Sequence, residues 1–555
     1  MSDNIILTPM QLWKDYDPHS EPLRPSYLKF VEKDTIYELE AYINGDSYDG
    51  ENIRIYVQGF IPINSNINSN IIFVNDKSEK GGISQNQIQF SKEGFGVFTF
   101  DYYGHTFSSD KYTRYPKAIS YANYTKAGDH INHATPTAKD TSIFIWDKVC
   151  MKVINLVKQL RGDDTQIILA GIQTGADIAW QVAAIDKRVD GIATTLNAGW
   201  KEYKDYPKLA DIEMPLDDER KRWFTGSATA TYLKFIKCPV LCMNSTNGSL
   251  TPLDRIQDTM KQLKENKAKT NLYVAAGLSD TINSSTKNTL LYWAKCLATK
   301  KKMEKDPTMT LVRNKDGRLI ATVKADKSSE IEKITLHYSY DELNPMLRSW
   351  LSQPISLQDL YTDIPVYNET QLVFAYATVV YKSGYSLSSI QEYMYTPQNE
   401  DFIRVNIPRS RIIYQKNFGT KGWIVEQAKT VLDFLEVKQE EGPLKIAGIT
   451  SPVGDLSTYT IGDYKYKSDA QNILQFDAVA TQDRKLTVGI IAGAPGKYDS
   501  YFATLSLKAN KWTKCSLKIS DFKTSGYVPL REWGNIKKLT FKNIDSTLIS
   551  NIIWV

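Results

Sequence analysis

Short runs of apolar residues alternate with longer stretches of helical periodicity along the first 300 residues of the chain. The runs have the length of buried strands, and turn-forming or polar residues bound them. In 141–160 the apolar residues recur every three or four positions, which predicts a helix with one buried face. A second helix is predicted at 283–297. Strands that alternate with helices favour a parallel α/β sheet. The predicted strands are 52–60, 70–75, 96–100, 166–170, 189–194, 238–243 and 271–275.

After a charged, proline-ended segment at 299–307, the pattern changes to alternation with a period of two. We expect that segment to be a solvated connector. Residues 308–400 predict a β-sandwich of the immunoglobulin or fibronectin kind, and 404–555 predict a jelly-roll β-sandwich. The expected fold class is therefore α/β plus all-β. Its first domain covers 1–300, with a wrapping segment at 18–25, and two β-sandwich domains follow.

Composition is that of an ordinary globular protein and excludes several classes of partner. Of the 555 residues, 42% are hydrophobic and 24% are charged, and the net charge is +5 with dispersed lysines. Neither nucleic acid nor a membrane is therefore expected as a partner. The first residues lack the features of an export signal, and no apolar run approaches a membrane span. We expect a cytoplasmic protein, or an extracellular one if a leader has been removed.

Two spacings raise the question of a metal. Cys238 and Cys242 are separated by three residues, but Val240 and Leu241 between them favour a buried strand with free thiols. His130 and His133, beside Asp129, have the separation of one helical turn, which suits zinc. No cysteine or H-E-x-x-H motif accompanies them, so exposed loop histidines are the simpler interpretation. We expect no metal and no cofactor, and the five cysteines do not form a disulfide framework.

The most informative stretch is 165–187, TQIILAGIQTGADIAWQVAAIDK. It predicts a buried strand, a tight turn that contains Gly171 and Gly175, and a helix that begins at Ala176. The same layout with G-x-S-x-G spacing places a nucleophilic serine on a strained turn. Here the central position is Gln173, whose amide is neither a nucleophile nor a proton-transfer group at neutral pH. The turn of a hydrolase is therefore predicted without its nucleophile.

Three motifs carry a resemblance to a known family. They are Asp101-x-x-Gly104-His105, the turn at 171–175, and the strand at 238–243 with the loop at 244–248. On these residues, 30–300 resembles the acetyl-xylan-esterase-like and peptidase-like α/β-hydrolases. The resemblance implies a serine, an aspartate and a histidine in that order along the chain. It also implies an oxyanion-hole loop at 77–82.

All three implied triad positions are vacant. Gln173 stands for the serine, Gly248 for the aspartate, and Ser279 and Asp280 lie where the histidine is expected. No histidine occurs between 134 and 336, so a triad of the family's order cannot be built. Thr174 and Ser249 are the other polar residues near these positions, and no base accompanies them.

The two later regions resemble modules that follow some of these hydrolases. The first, which ends at 383–389, is similar to their appended immunoglobulin-like sandwich. The second resembles carbohydrate-binding jelly rolls, on Phe418-Gly419, Gly422-Trp423, Trp512, Trp533 and 536–541. Tyrosines of this region are candidate platforms for sugar rings. They are Tyr459, Tyr464, Tyr466, Tyr498, Tyr501 and Tyr527.

These observations predict a catalytically inactive pseudo-hydrolase with a structural, self-assembling or binding role. The partners expected of it are further copies of itself or a glycan. The alternative is a divergent serine-type esterase or peptidase that acts on acylated sugars or peptides.

Overall fold

The computed structural model describes residues 5–76, 83–105, 110–210, 212–250, 252–426, 432, 434–494 and 497–555. Its sheets fall into three successive groups along the chain, one mostly parallel and two mostly antiparallel. The fold class is therefore α/β plus all-β, as predicted. Among the described residues, no helix is both long enough and apolar enough to cross a membrane.

A nine-stranded sheet forms the first group, and helices cover both of its faces. Its strands are β1 (Ser26–Lys33), β2 (Ile36–Tyr48), β3 (Glu51–Pro62), β4 (Ser69–Val74), β5 (Gly96–Phe100), β6 (Gln166–Ile172), β7 (Gly191–Thr195), β8 (Val240–Ser245) and β9 (Thr270–Ala275). The helices are α1 (Pro9–Trp13), α2 (Gln85–Lys92), α3 (Ser142–Arg161), α4 (Thr174–Ile185), α5 (Asp218–Ser227), α6 (Ile256–Glu265) and α7 (Ser284–Ala298).

The spatial order of this sheet is β1-β2-β3-β5-β4-β6-β7-β8-β9. The strands from β5 to β9 are parallel, and β1, β2 and β3 extend the sheet with antiparallel pairing. Buried residues of α3, α4 and α6 pack on one face, and those of α2 and α7 on the other. Parallel strands bring their carboxyl ends to one edge, which is where loops can assemble a site.

Two mostly antiparallel groups of sheets follow. The second group contains β10 (Thr308–Arg313), β11 (Leu319–Lys324), β12 (Ile331–Tyr340), β13 (Leu351–Ile355), β14 (Tyr361–Ile364), β15 (Val366–Tyr367), β16 (Leu372–Tyr381), β17 (Ser386–Ser388), β18 (Glu392–Tyr395) and β19 (Arg404–Val405). The third contains β20 (Ile412–Tyr414), β21 (Ile424–Val425), β22 (Lys438–Glu441), β23 (Ala447–Thr450), β24 (Leu456–Thr458), β25 (Leu474–Ala480), β26 (Arg484–Ala494), β27 (Lys497–Leu507), β28 (Thr513–Leu517), β29 (Ile536–Lys542) and β30 (Thr547–Trp554). In the second group, β15 and β19 pair in parallel.

The second group packs directly on the nine-stranded sheet region. One continuous apolar cluster includes Trp293 of α7 together with Ile334 of β12 and Tyr385. A hydrogen bond between backbone and side chain reinforces the contact. The N–H of Val274 in β9 donates to the hydroxyl of Ser388 in β17 at 3.0 Å. The third group has a separate apolar core between its six-stranded and five-stranded sheets.

The charged segment at 299–307 is only in part the solvated connector that its sequence predicts, since residues 299–302 and 305 are exposed and the rest are not. Glu304 is buried, and its carboxylate accepts the hydroxyl of Tyr292 at 2.9 Å. Asp306 accepts the N–H of Leu272 at 3.0 Å and the side-chain amide of Asn271 at 3.2 Å. Glu304 is buried and Asp306 is half-buried, because both satisfy polar groups where the second group meets β9 and α7.

Candidate functional site

The turn between β6 and α4 has the strained backbone of a nucleophile elbow, with glutamine at its centre. Gln173 has φ 51° and ψ −114°, a combination that non-glycine residues rarely adopt. Its N–H donates to the carbonyl of Thr195 at 3.0 Å, and its carbonyl accepts the amide of Asn197 at 2.9 Å. These bonds to the end of β7 hold the turn in place. Helix α4 begins at Thr174, two residues before the predicted start.

Close backbone approach explains both glycines of the turn. A Cβ on Gly171 would lie 2.4 Å from the carbonyl oxygen of Gly175. A Cβ on Gly175 would lie 2.0 Å from the carbonyl oxygen of Val74, at the end of β4. Neither contact can be relieved by moving a side chain, because the obstructing atoms belong to the backbone. The glycines are therefore needed for the turn itself.

The vacated acid and histidine positions lie on neighbouring loops that bond to each other. Gly248 lies in the loop after β8, and Ser279 and Asp280 lie in the loop after β9. Oδ1 of Asp280 accepts the N–H of Ser249 at 2.8 Å. Burial raises the pKa of Asp280 above its ordinary value, and the bonds from Ser249 only partly offset this. The implied oxyanion-hole loop at 77–82 lies outside the described residues.

The later β-structure covers both loops. Asn247 donates its side-chain amide to the carbonyl of Met346 at 3.1 Å and to that of Arg348 at 2.8 Å. Tyr459, from the third group of sheets, is 6% exposed and packs against Leu278. The surface on which a hydrolase would hold its acid and its histidine is thus a contact surface between parts of the chain.

Three of the six candidate sugar-binding tyrosines, Tyr459, Tyr464 and Tyr498, contact other parts of the chain in this way. Tyr464 and Tyr466 are 8% exposed, and Tyr459 is 6% exposed. Burial leaves these three rings no open face for a sugar, which corrects the prediction for them. The hydroxyls of Tyr464 and Tyr498 bond to Asp341 and Glu342 respectively, across to the second group of sheets.

Two of the candidate tyrosines remain to be placed. Tyr501 is half-buried and packs against the core of the third group of sheets. Tyr527 is 82% exposed, so its ring can still serve the predicted role.

The side chains of His130 and His133 contact different partners. Nδ1 of His130 lies 2.6 Å from the carbonyl oxygen of Asp140, and its ring stacks on Tyr121. Nδ1 of His133 lies 3.4 Å from Oε1 of Glu219. Among the described residues, no group of three or more His, Cys, Asp or Glu side chains is placed to hold a metal. Cys242 is buried on β8, and burial raises the pKa of its thiol to about 12.

A cavity of about 260 Å³, which we call the elbow cavity, lies beside the turn. Its described lining includes Asp76, Tyr103, Trp146, Thr174, Lys201 and Trp223. Sequence reasoning identified Thr174 alone of these. The available signal was positional, because Asp76, Thr174 and Lys201 all follow the carboxyl ends of neighbouring parallel strands.

Comparison with known proteins gave solved structures only. No protein-family model matches the chain, and no curated protein matches it either. Acetyl xylan esterase 1 from Thermoanaerobacterium sp. JW/SL YS485 is 14% identical, with a TM-score of 0.38 over 51% of this chain and 90% of that one. A Mycobacterium tuberculosis puromycin-hydrolyzing peptidase is 14% identical, with a TM-score of 0.33 over 50% and 40%. A thermostable carboxyl esterase from Bacillus coagulans is 12% identical, with a TM-score of 0.33 over 48% and 100%. Chains similar to about half of this one are thus esterases and a peptidase, and similarities of this size carry no inference about its activity.

Proposed function

We propose that this chain is a non-catalytic pseudo-hydrolase, in which the α/β fold serves as a scaffold for a structural or binding role. The observation that carries the proposal is the engagement of Asn247, whose amide bonds to the Met346 and Arg348 carbonyls. The loop that would present a catalytic acid is thereby fixed against the second group of sheets. An active hydrolase would need that surface to be open to both substrate and water, and here the second group of sheets contacts it.

The chemistry of the three positions supports the same proposal. Gln173 has no nucleophilic atom, Gly248 has no carboxylate, and the Ser279–Asp280 loop has no imidazole. Loss of triad members lowers hydrolytic rates by about 10⁴ to 10⁶. A single replacement can be compensated by a neighbouring group, whereas here all three groups of the triad are replaced at once.

Two forms of the non-catalytic role remain open. The first is self-assembly, through the large surfaces of the sheets. The second is glycan binding, for which Tyr527 is the exposed ring; it borders a groove of about 620 Å³ with Phe502 and Lys523. Size-exclusion chromatography with light scattering, over a range of concentrations, separates them. A strict monomer at all concentrations counts against assembly.

The proposal as a whole is tested on the purified chain with p-nitrophenyl acetate and a fluorophosphonate probe. We expect neither turnover nor labelling. Labelling that disappears on substitution of one serine or threonine would overturn the proposal, because it would identify an active nucleophile.

One observation favours the alternative, a divergent hydrolase. Gln173 keeps a strained backbone, and strain of this kind is concentrated at active sites. Thr174, the next residue, lines an open cavity. If the alternative holds, Thr174→Val abolishes both labelling and turnover, while Thr125→Val, at an exposed threonine that does not line the cavity, leaves them unchanged.

A further inference from the structure

Two arginines lie directly opposite each other where the segment at 112–114 runs beside β3. Arg54 and Arg114 exchange both of their backbone hydrogen bonds, each at 2.9 Å, and so form an antiparallel pair. In such a pair both side chains stand on the same face of the sheet, where like charges destabilise it. The two cations therefore need a compensating group, from the protein or from a ligand.

The protein supplies aromatic rings to this pair but no carboxylate. The guanidinium carbon of Arg114 lies 5.5 Å from the ring centroid of Tyr42 and 5.9 Å from that of Tyr112. The guanidinium carbon of Arg54 lies 5.9 Å from the ring centroid of Tyr42. Among the described residues, neither arginine forms an ion pair with an aspartate or a glutamate. The rings thus hold the two cations in place without neutralising them.

Two acids of the adjoining strands have other partners. Glu40, two residues along β2 from Tyr42, forms an ion pair with Lys111 at 2.5 Å and accepts the hydroxyl of Tyr56 at 3.3 Å. Asp101, which follows β5, accepts three backbone N–H groups. Both carboxylates are therefore engaged away from the two guanidiniums.

Most hydrogen-bond donors of the two guanidiniums are open to a ligand. A guanidinium that lies over a ring uses its face, and its five N–H donors remain in the plane. Arg54 donates one of them from Nη1 to Oδ1 of Asn44. In the described part of the chain, the Arg114 side chain donates none. Arg114 is exposed and Arg54 is half-buried, so a ligand from solvent can reach both.

We propose that Arg54 and Arg114 together bind the carboxylate or sulfate group of an acidic glycan. Two adjacent guanidinium forks can hold the oxygens of such a group through paired, charge-assisted hydrogen bonds. Tyr42 and Tyr112 are half-buried, so part of each ring is open beside the guanidiniums for contact with a sugar. The site uses none of the vacant triad positions and is separate from the groove of Tyr527, so it goes beyond the proposed function.

A nucleic acid matches this surface less well than a glycan does. A phosphate backbone is bound through several cations in a row. Here two arginines stand near the ion pair of Glu40 with Lys111, and the net charge of the chain is only +5. An acidic glycan spaces its charges along a neutral chain, which suits two cations with a carboxylate nearby.

The test measures binding to the full chain by isothermal calorimetry at low and at physiological salt. The acidic probes are a galacturonic acid oligosaccharide and a heparin-derived oligosaccharide. A cello-oligosaccharide of equal length is the neutral probe, and sodium sulfate, duplex DNA and poly-glutamate are the other anions. We expect saturable binding of at least one acidic oligosaccharide, weaker at higher salt, and none of the neutral one. The proposal is overturned if neither acidic oligosaccharide binds, or if the neutral one, sulfate alone, DNA or poly-glutamate binds as tightly.

Variants locate the site. Arg54→Gln and Arg114→Gln are each expected to weaken binding by tenfold or more, and Arg114→Lys by less, because lysine keeps the charge and loses the planar fork. The matched control is Arg531→Gln, at an exposed arginine of the third group that has no ion pair among the described residues. An equal loss in Arg531→Gln would reveal general attraction to anions and overturn the site.

Two further measurements keep these variants interpretable. Arg114→Gln removes one of two opposed like charges, so its thermal unfolding midpoint without ligand should be no lower than that of the parent. The acidic oligosaccharide should raise the midpoint of the parent and not that of Arg114→Gln. Binding that Tyr527→Leu abolishes and both arginine variants retain would place the ligand in the groove of Tyr527 and overturn the assignment. The readout is binding, so its failure is distinct from any discovery of hydrolase activity.

Discussion

Asp254 and Arg348 form a buried, bidentate ion pair that joins the nine-stranded sheet region to the second group of sheets. Nη1 of Arg348 lies 2.6 Å from Oδ1 of Asp254, and Nη2 lies 2.9 Å from Oδ2. Nη1 also lies 3.0 Å from Oε1 of Gln391, and the guanidinium sits 3.5 Å above the ring of Phe374. Arg348 is fully buried. Asp254 follows the vacated acid loop by a few residues, so this pair fixes the same surface that Asn247 does.

Removal of one partner of this pair is expected to be costly. Asp254→Asn leaves the buried Arg348 guanidinium without its counter-charge, and such changes destabilise proteins by about 3–5 kcal/mol. Denaturant unfolding followed by fluorescence measures the loss. The control is Asp363→Asn, which removes the partner of Arg318 in an exposed pair and should cost less than about 1 kcal/mol. Equal losses in the two variants would contradict the structural role of the buried pair.

The strain at Gln173 predicts that glycine stabilises this position. The backbone has φ 51° and ψ −114°, and such strain costs about 1–3 kcal/mol for a residue with a Cβ. Glycine avoids that cost and loses about 0.5–1 kcal/mol through its greater freedom in the unfolded chain. Gln173→Gly should therefore raise the thermal unfolding midpoint. Gln257→Gly, at an exposed position of α6, should lower it; a fall in both variants would show that the turn is not strained.

Restoring serine at the elbow is expected to restore nothing. Gln173→Ser supplies a hydroxyl on the turn, but position 248 still has no carboxylate and the Ser279–Asp280 loop still has no imidazole to act as the base. The assay is release of p-nitrophenol from p-nitrophenyl acetate, with Ser356→Ala in the same background as a control at an exposed serine of the second group of sheets. Turnover by the Gln173→Ser variant above that of the unmodified chain would refute the argument from three vacancies.

The sequence was sufficient for the parallel strands because each is a short apolar run with turn residues at its ends. It was also sufficient for the elbow, since Gly171 and Gly175 are dictated by backbone contacts within the turn. It did not reveal β1 and β2, whose residues are mostly exposed in β1 and of mixed character, so no periodicity marks them. The segment at 299–307 was misjudged for a similar reason. A charged residue such as Asp306 is half-buried only because distant backbone groups need an acceptor, and local sequence carries no record of that.

The elbow cavity illustrates the same limit at a site. Asp76, Tyr103, Trp146 and Lys201 come from four separate segments, and each is unremarkable in its own neighbourhood. Their proximity follows from the order of the strands, with β4 placed between β5 and β6. That order depends on how loops and helices pack, which the apolar pattern does not encode.

Burial of Asp306 predicts how stability depends on pH. Burial raises the pKa of this carboxyl to about 7 in the folded chain, above its ordinary value of about 4. The folded state therefore binds the proton more tightly than the unfolded state, and ionisation removes stability as the pH rises from about 4 through 7. Asp306→Asn keeps an acceptor for the N–H of Leu272 and does not ionise. We expect the variant to be more stable than the parent by up to about 4 kcal/mol at pH 8, with a smaller gap at pH 5.

Asp326→Asn is the matched control for this prediction, because the pKa of Asp326 is shifted the other way. The N–H groups of Lys305 and Ser328 donate to the Asp326 carboxylate and lower its pKa. Its contribution to stability is therefore present above the unfolded pKa and is lost as the pH falls. The Asp326→Asn variant should be less stable than the parent at pH 8 and approach it in acid. Thermal unfolding midpoints of the three chains, measured between pH 4 and pH 8, should thus diverge in opposite directions. If the stabilities of the two variants instead change with pH in the same direction, the carboxyl of Asp306 does not have the raised pKa on which the prediction is based.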